Sequence, residues 1–254
     1  MGSKDFLLGK TLDDFFNYEQ LSPAEQLEYN ECYDKARKII SATVSGGKSV
    51  CYGWSGGKDS AVLRHIIEND LGLNLPSVLG CNRIWEYPDM LDYFAKYSPK
   101  NLTTTDRGLD WEWLRKNEKK LLFPTTSANE GKWFVLIQRY AQRHFLIDNK
   151  IDVMLVGRTG ADGNAPDRID GKFLSPMYHI PHKYIMAYIK TNHLPLPKIY
   201  SYPNGFRRGT HLWVSRKADT ALDAMNEIVK SGNIALLEEG ASHGLTKIIK
   251  YLER

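Results

Sequence analysis

The run Ser49-Val50-Cys51-Tyr52-Gly53-Trp54 passes without a break into Ser55-Gly56-Gly57-Lys58-Asp59-Ser60, and that loop passes directly into Ala61–Asn69. A short continuous apolar run reads as a buried strand, and AVLRHIIEN as an amphipathic helix. A strand that ends in two glycines and restarts as a helix is a phosphate site in physical terms. Without Cβ atoms the backbone can come close to a polyphosphate. The first N–H groups of the helix supply donors and the positive end of its dipole. Ser55 and Ser60 add hydroxyls, and Lys58 adds a point charge able to follow charge onto a leaving group. Asp59 reads as a helix cap, an orienting group for the loop or a ligand to Mg²⁺. Two other phosphate loops are excluded by spacing. G-x-x-x-x-G-K-[ST] needs a glycine where Tyr52 stands, and G-x-G-x-x-G does not fit.

The following segments alternate. Residues 76–80 read as a second buried strand, 89–97 as a helix and 101–105 as a third strand. Residues 111–121 and 132–148 read as helices, and 152–156 as a further strand ending at Gly157-Arg158. Such alternation with continuous apolar strands predicts an α/β fold, a Rossmann-like parallel sheet covered by helices on both faces. Ligands in such sheets sit outside the carboxyl ends of the strands, which groups residues 55–60, 82–88 and 157–172 at one rim. Residues 11–45 read as helical, with Ser22-Pro23-Ala24-Glu25 as an N-terminal signature. Helices are also expected at 182–192, about 218–230 and 236–252. The expected division is an N-terminal helical extension over 1–45, a nucleotide-binding α/β domain over 46–195 and a C-terminal helical tail on the substrate side over 196–254.

Charge and cysteine content narrow the chemistry. The 254 residues carry a formal charge of +4, a mild basicity that suits an anionic ligand but is no dense Lys/Arg stripe. Cys32, Cys51 and Cys81 include no C-x-x-C pair, so a structural zinc or iron–sulfur site from this chain alone is not expected. The sparse, odd count predicts a reducing, cytoplasmic setting. No apolar run approaches a membrane span, the start MGSKDFLLGK has no signal-peptide core, and Phe6 breaks a myristoylation pattern.

The stretch VCYGWSGGKDSAVLRHII resembles the PP-loop signature of the adenine nucleotide α-hydrolase superfamily, the N-type ATP pyrophosphatases, whose sheet is of the HUP type. Within it the chain is most similar to the phosphoadenosine phosphosulfate (PAPS) reductase family. Glu86-Tyr87-Pro88 resembles that family's acid–aromatic–proline segment. Gly157-Arg158, with Asp162 and Arg168, resembles its G-[IV]-R…E-S…R loop, and the region from Ser175-Pro176 to Leu194-Pro195-Leu196-Pro197-Lys198-Ile199-Tyr200 its later signature. The resemblance covers about residues 46–212. It implies that Ser55, Gly56, Gly57, Lys58, Asp59 and Ser60 hold a pyrophosphate, that main chain around Tyr52–Trp54 and Leu79–Cys81 faces adenine, that Gly157 packs on the nucleotide and that Arg158 reaches a phosphate. ATP and Mg²⁺ are the implied cofactors. Lys58, Asp59 and Arg158 are the implied catalytic residues.

One departure matters. The family's reductases use a C-terminal nucleophilic cysteine, and no cysteine follows Cys81 here; the corresponding stretch reads Gly209-Thr210-His211. A threonine hydroxyl cannot replace a thiolate. Unassisted PAPS reduction is therefore not expected, and the expected reaction is AMP-forming adenylation of a second substrate, with nitrogen or sulfur transfer to follow. The alternatives are a non-catalytic adenine-nucleotide or PAPS-binding protein, or a subunit of a nucleic-acid-modifying complex. Asp162, Arg168 and the glycine-flanked Arg207-Arg208 are candidates for the second substrate, a small molecule or a nucleic-acid base. A protein partner or a homo-oligomer is compatible with the sequence, and a membrane is not expected. Trp85 is read as a ring able to stack on a base, Trp111 and Trp113 as helix-face packing, and His179, His182, His193 and His211 as surface or core histidines.

Overall fold

The computed structural model describes residues 7, 9–160, 171–208 and 211–254, without the side chains of Arg207 and Arg208. Its centre is a five-stranded, fully parallel sheet in the order β3-β2-β1-β4-β5. The strands are β1 (Val50–Gly53), β2 (Ser77–Cys81), β3 (Leu102–Asp106), β4 (Val153–Leu155) and β5 (Phe173–Leu174). This is the Rossmann-like arrangement expected. Every residue of β1 is buried. Val50 and Tyr52 belong to the larger apolar cluster, while Cys51 packs on the other face with Val78, Ala141, Phe145, Leu146, Ile151 and Met154. Alternate side chains of one strand thus feed two cores, which is why the strand is continuously apolar. β3 is an edge strand, and Thr103 and Thr104 are exposed.

The helices on the first face are α1 (Pro23–Ser45), α2 (Lys58–His65), which runs on as a π turn over Ile66–Asp70, α3 (Pro88–Tyr97) and α7 (His182–Thr191). α1 begins where the sequence signals it: the Ser22 side chain accepts from Glu25 N–H, Glu25 reaches back to Ser22 N–H, and Pro23 takes the first helical position. Such a cap contributes about 1 kcal/mol. The expected helix over 11–45 is corrected at its start. Thr11–Leu21 forms two separately capped 3₁₀ turns, at Leu12–Asp14 and Tyr18–Gln20. A helix cannot run through Ser22, because the residue before a proline is driven to extended backbone, and Ser22 has ψ 156°. α1 docks through Tyr33, whose ring stacks on Tyr188 at 4.5 Å and whose hydroxyl donates to the Tyr184 carbonyl.

α4 (Trp111–Leu121) follows β3. The second face carries one long helical run: α5 (Ser127–Phe134), a π turn at Val135–Arg139 and α6 (Tyr140–Asp148). The π turn presses on β2, and a Cβ on Gly80 would stand 2.5 Å from the Ile137 carbonyl oxygen. Only glycine permits that approach. Beyond α7 the chain makes a 3₁₀ turn at Lys198–Ser201, the short α8 (Gly205–Arg208), a further 3₁₀ turn at Trp213–Ser215, and α9 (Ala221–Lys230), α10 (Ile234–Ser242) and α11 (Thr246–Leu252). The single helix expected over 236–252 is therefore two, broken at Gly244, whose φ of +80° lies outside the helical region. Among the described residues no helix is long and apolar enough to cross a membrane.

Candidate functional site

The strand order reverses at β1. Its neighbours are β2, reached through α2, and β4, reached only after β3 and the long helical run. The crevice above the carboxyl ends of β1 and β4 is therefore the switch point at which such sheets bind ligands. The loop Ser55–Ser60 occupies it. Gly56 sits at φ +71°, and a Cβ there would meet Phe94 Cε1 at 2.8 Å. Gly57 is the N-cap of α2, with extended backbone and no capping side chain. Ser60 is locked inward: its hydroxyl donates to the Gly57 carbonyl at 2.9 Å and its oxygen accepts the Ser55 N–H at 3.2 Å. Ser55 Oγ accepts the Gly57 N–H at 3.4 Å.

The amides at the head of α2 remain. Lys58 N–H donates to the Tyr200 hydroxyl at 2.8 Å. Asp59 N–H and Ser60 N–H have no acceptor among the described residues, and the first helical bond is that of Ala61 N–H to the Gly57 carbonyl. The first N–H groups of a helix have no partner within it, and such a start is a ready seat for an anion. The Lys58 side chain is only 6% exposed, and its ammonium grips both Asp59 oxygens, at 2.7 and 2.6 Å. Asp59 therefore does not cap the helix. It holds the ammonium in reserve beside the open amides. The wall opposite is Gly157, just past β4. A Cβ there would lie 2.7 Å from the Asp59 carbonyl oxygen and 3.0 Å from Ser60 N, so β4 leaves the sheet flush against the first turn of α2.

The other expected site residues are placed less closely. The Arg158 guanidinium stands over the Phe134 ring at 4.9 Å. Asp162 and Arg168 lie outside the described residues, as do the Arg207 and Arg208 side chains, though the backbone of that pair forms α8. Gly205 opens α8 against the Ile199 and Tyr200 carbonyls, where a Cβ would not fit. Trp85 is corrected: it is fully buried among Trp111, Trp113 and Trp133, with centroids 5.5–6.1 Å away, and cannot stack on a base. The four late histidines are dispersed. His179 Nε2 meets the Cys32 carbonyl, His182 lies against Phe15, His193 ends a turn at positive φ and His211 turns to the sheet rim.

Two features escaped the sequence. Tyr200, 142 residues from Lys58, supplies the hydroxyl that satisfies its amide. At the exit of β2, Glu86 is buried and accepts from His211 Nδ1 at 2.6 Å, while the Gln138 amide donates to the Gly80 carbonyl at 2.8 Å and meets His211 Nε2 at 3.1 Å. With its oxygen taking the Gly80 N–H, Gln138 turns its amide NH₂ toward His211 Nε2. The segment 211–213 is stitched to the rim by two backbone bonds as well, Tyr87 to His211 and Trp213 to Trp85. Charged or amide side chains at such apolar rims were the available signal, but their partners lie far along the chain. Cys51 and Cys81 are buried, and burial pushes the Cys51 thiol up to about 12 and the Cys81 thiol higher still.

No family model and no curated protein matches the chain. Among solved structures it is similar to the PAPS reductase of Candida auris in its phosphate complex, with 14% identity and a TM-score of 0.48 over 72% of this chain and 94% of that one. It is similar to the U34-tRNA thiolase NcsA of Methanococcus maripaludis, with 16% identity and a TM-score of 0.48 over 89% and 78%. It is also similar to the FMN adenylyltransferase of Candida glabrata in complex with ATP, with 13% identity and a TM-score of 0.49 over 73% and 63%. These likenesses concern the fold.

Proposed function

We propose that the protein binds ATP with its β- and γ-phosphates in the Ser55–Ser60 cradle and cleaves between the α- and β-phosphates, adenylating a second substrate. One observation carries the reading: two unpartnered amides, of Asp59 and Ser60, open beside a buried ammonium at the strand-order switch. Those N–H groups and the dipole of α2 bind the polyphosphate. Lys58 transfers its ammonium from Asp59 to the pyrophosphate as charge develops there. A carboxylate, carbonyl or amide oxygen of the second substrate attacks the α-phosphorus. The new O–P bond forms, the bond to the β-phosphate oxygen breaks, and pyrophosphate leaves. Ammonia, an amine or a sulfur donor then displaces AMP. Nitrogen transfer is favoured, because Cys32, Cys51 and Cys81 offer no visible pair to carry a persulfide.

Mg²⁺ fits this site as a nucleotide-borne ion. Such an ion takes one or two protein carboxylates plus substrate phosphates; Asp59 is the carboxylate at the cradle, and among the described residues no cluster of three metal-ligating side chains exists. When bound, it neutralises charge on the departing phosphates. Three unpaired thiols fit a reducing, cytoplasmic setting.

ATP labelled in its α-phosphate tests the reading. Label is expected in AMP or an adenylated acceptor, with release of pyrophosphate; label in ADP contradicts it. A second reading, nucleotide binding without turnover, is favoured by one feature: Lys58 and its amide are already satisfied within the chain, by Asp59 and Tyr200. ATP binding with neither product supports that reading.

A further inference from the structure

The phosphate cradle leaves one buried polar group beside it without a use. Gln142 lies on α6 and is 8% exposed, and its Oε1 is buried with no hydrogen-bond partner among the described residues. An unpaired buried acceptor destabilises a fold, because it has given up water and gained nothing. Native chains keep few such groups, and each calls for an explanation. The indole N–H groups of Trp85 and Trp213 are unpartnered as well, but both belong to the tryptophan cluster around Trp111. Asn82 Oδ1 stands past β2, on a side chain whose Nδ2 is committed to the Leu109 carbonyl at 2.8 Å. Gln142 stands at the strand-order switch itself.

Three contacts place it there. A Cβ on Gly53, the last residue of β1, would lie 3.1 Å from Gln142 Nε2, 3.8 Å from Met154 Sδ and 3.8 Å from Val156 Cγ1. The carboxamide therefore lies on the second face at the carboxyl ends of β1 and β4, two residues before Ser55 opens the cradle. The glycine leaves it room to approach the strand so closely. The same helical run supplies an internal comparison. Gln138, four residues earlier, meets Gly80 of β2, and its carboxamide pairs with both the N–H and the carbonyl of that glycine. Two glutamines of one helical run thus meet glycines of adjacent strands. The carboxamide at β2 is fully used, and the one at β1 and β4 has an acceptor to spare.

We propose that Gln142 is a specificity-determining residue that reads the base of the bound nucleotide, its Oε1 accepting the exocyclic N6 amine of adenine. This rests on the function proposed above. A nucleotide with its polyphosphate on α2 spans the crevice above the strand ends, and its base reaches the second face at Gln142. A carboxamide matches adenine there: the oxygen accepts from N6 while the amide donates to the adjacent ring nitrogen. The N7–O6 edge of guanine carries two acceptors and would leave Oε1 unpaired.

Calorimetry with ATP, purine riboside triphosphate, GTP and inorganic tripolyphosphate tests the proposal. The second differs from ATP by the missing N6 amine alone. The wild-type protein is expected to bind ATP about tenfold or more tightly than the desamino nucleotide or GTP. Gln142→Leu is expected to bind ATP and the desamino nucleotide alike, and as weakly as the wild type binds the latter. Its ligand-free melting temperature is expected to hold or to rise by about 2–4 °C, because an apolar group replaces an unpaired polar one. A lower melting temperature would show a carboxamide already satisfied in the free protein, against the proposal. Equal binding of ATP and the desamino nucleotide by the wild type, tighter binding of GTP, or an ATP preference kept in Gln142→Leu would each overturn it. The wild-type comparisons need no variant, so they decide the matter even where Gln142→Leu does not fold. Tripolyphosphate is expected to bind both proteins equally. Its binding without any effect of the N6 amine refutes the role of Gln142 alone, and its failure to bind refutes the cradle.

Discussion

Lys58→Ala is expected to remove about half or more of the thermal stabilisation that ATP confers. A ligand at a hundredfold its Kd adds about 2.7 kcal/mol to a protein that binds it only when folded, which for a chain of this size is roughly 5–10 °C. The ammonium is buried at the cradle, 6% exposed and a single residue from the open amides. A charge-assisted bond to phosphate contributes about 1.5–3 kcal/mol, so affinity should fall roughly tenfold to a hundredfold. The ligand-free protein should lose far less. Asp59 retains 21% exposure, and water can take the place of the lysine. A melting curve with and without ATP checks both halves. A full ATP shift in the variant would place the nucleotide elsewhere.

Gly157→Ala tests the opposite wall with the smallest possible change. The new Cβ would lie 2.7 Å from the Asp59 carbonyl oxygen, 2.8 Å from its carbon and 3.0 Å from Ser60 N. These are backbone atoms of a helix start and cannot swing aside as a side chain would. Either β4 or the head of α2 must shift, and overpacking of this kind costs about 1–3 kcal/mol. The shift falls on the two amides assigned to phosphate, so ATP affinity is expected to drop at least tenfold by calorimetry. Gly131→Ala is the matched control. Nothing lies within 4 Å of its Cβ position, and it sits within α5, so the change should leave ATP affinity untouched and raise stability slightly. Equal affinities in both variants would mean that Gly157 does not bound the site.

The parallel sheet and the glycine loop between β1 and α2 were legible because both are written locally. Buried strands such as Val50–Gly53 are continuously apolar, and Gly56-Gly57 interrupts strand and helix at one point. The start of α1 was legible in its cap but overrun at its N-terminal side, because the apolar spacing of residues 11–21 serves two 3₁₀ turns rather than a helix. β5 escaped notice because two residues, Phe173 and Leu174, carry no periodicity. Asp59 was read among its usual roles, yet its neighbour Lys58 claims the carboxylate first. Tyr200 on Lys58 and His211 on Glu86 join residues more than a hundred positions apart. No spacing within a segment encodes such a pairing; the fold alone brings them together. Trp85 failed for the same reason, since the burial of a rim tryptophan depends on Trp111, Trp113 and Trp133 arriving from other elements.

The central claim, that the head of α2 is an anion site shaped for polyphosphate, is tested most directly by amide chemical shifts on titration with inorganic pyrophosphate. Saturable shifts are expected to be largest at Asp59 and Ser60, smaller at Gly57 and Gly157, and absent when Lys58→Ala is titrated in the same range. Pyrophosphate that perturbs other amides while leaving Asp59 and Ser60 unmoved would contradict it.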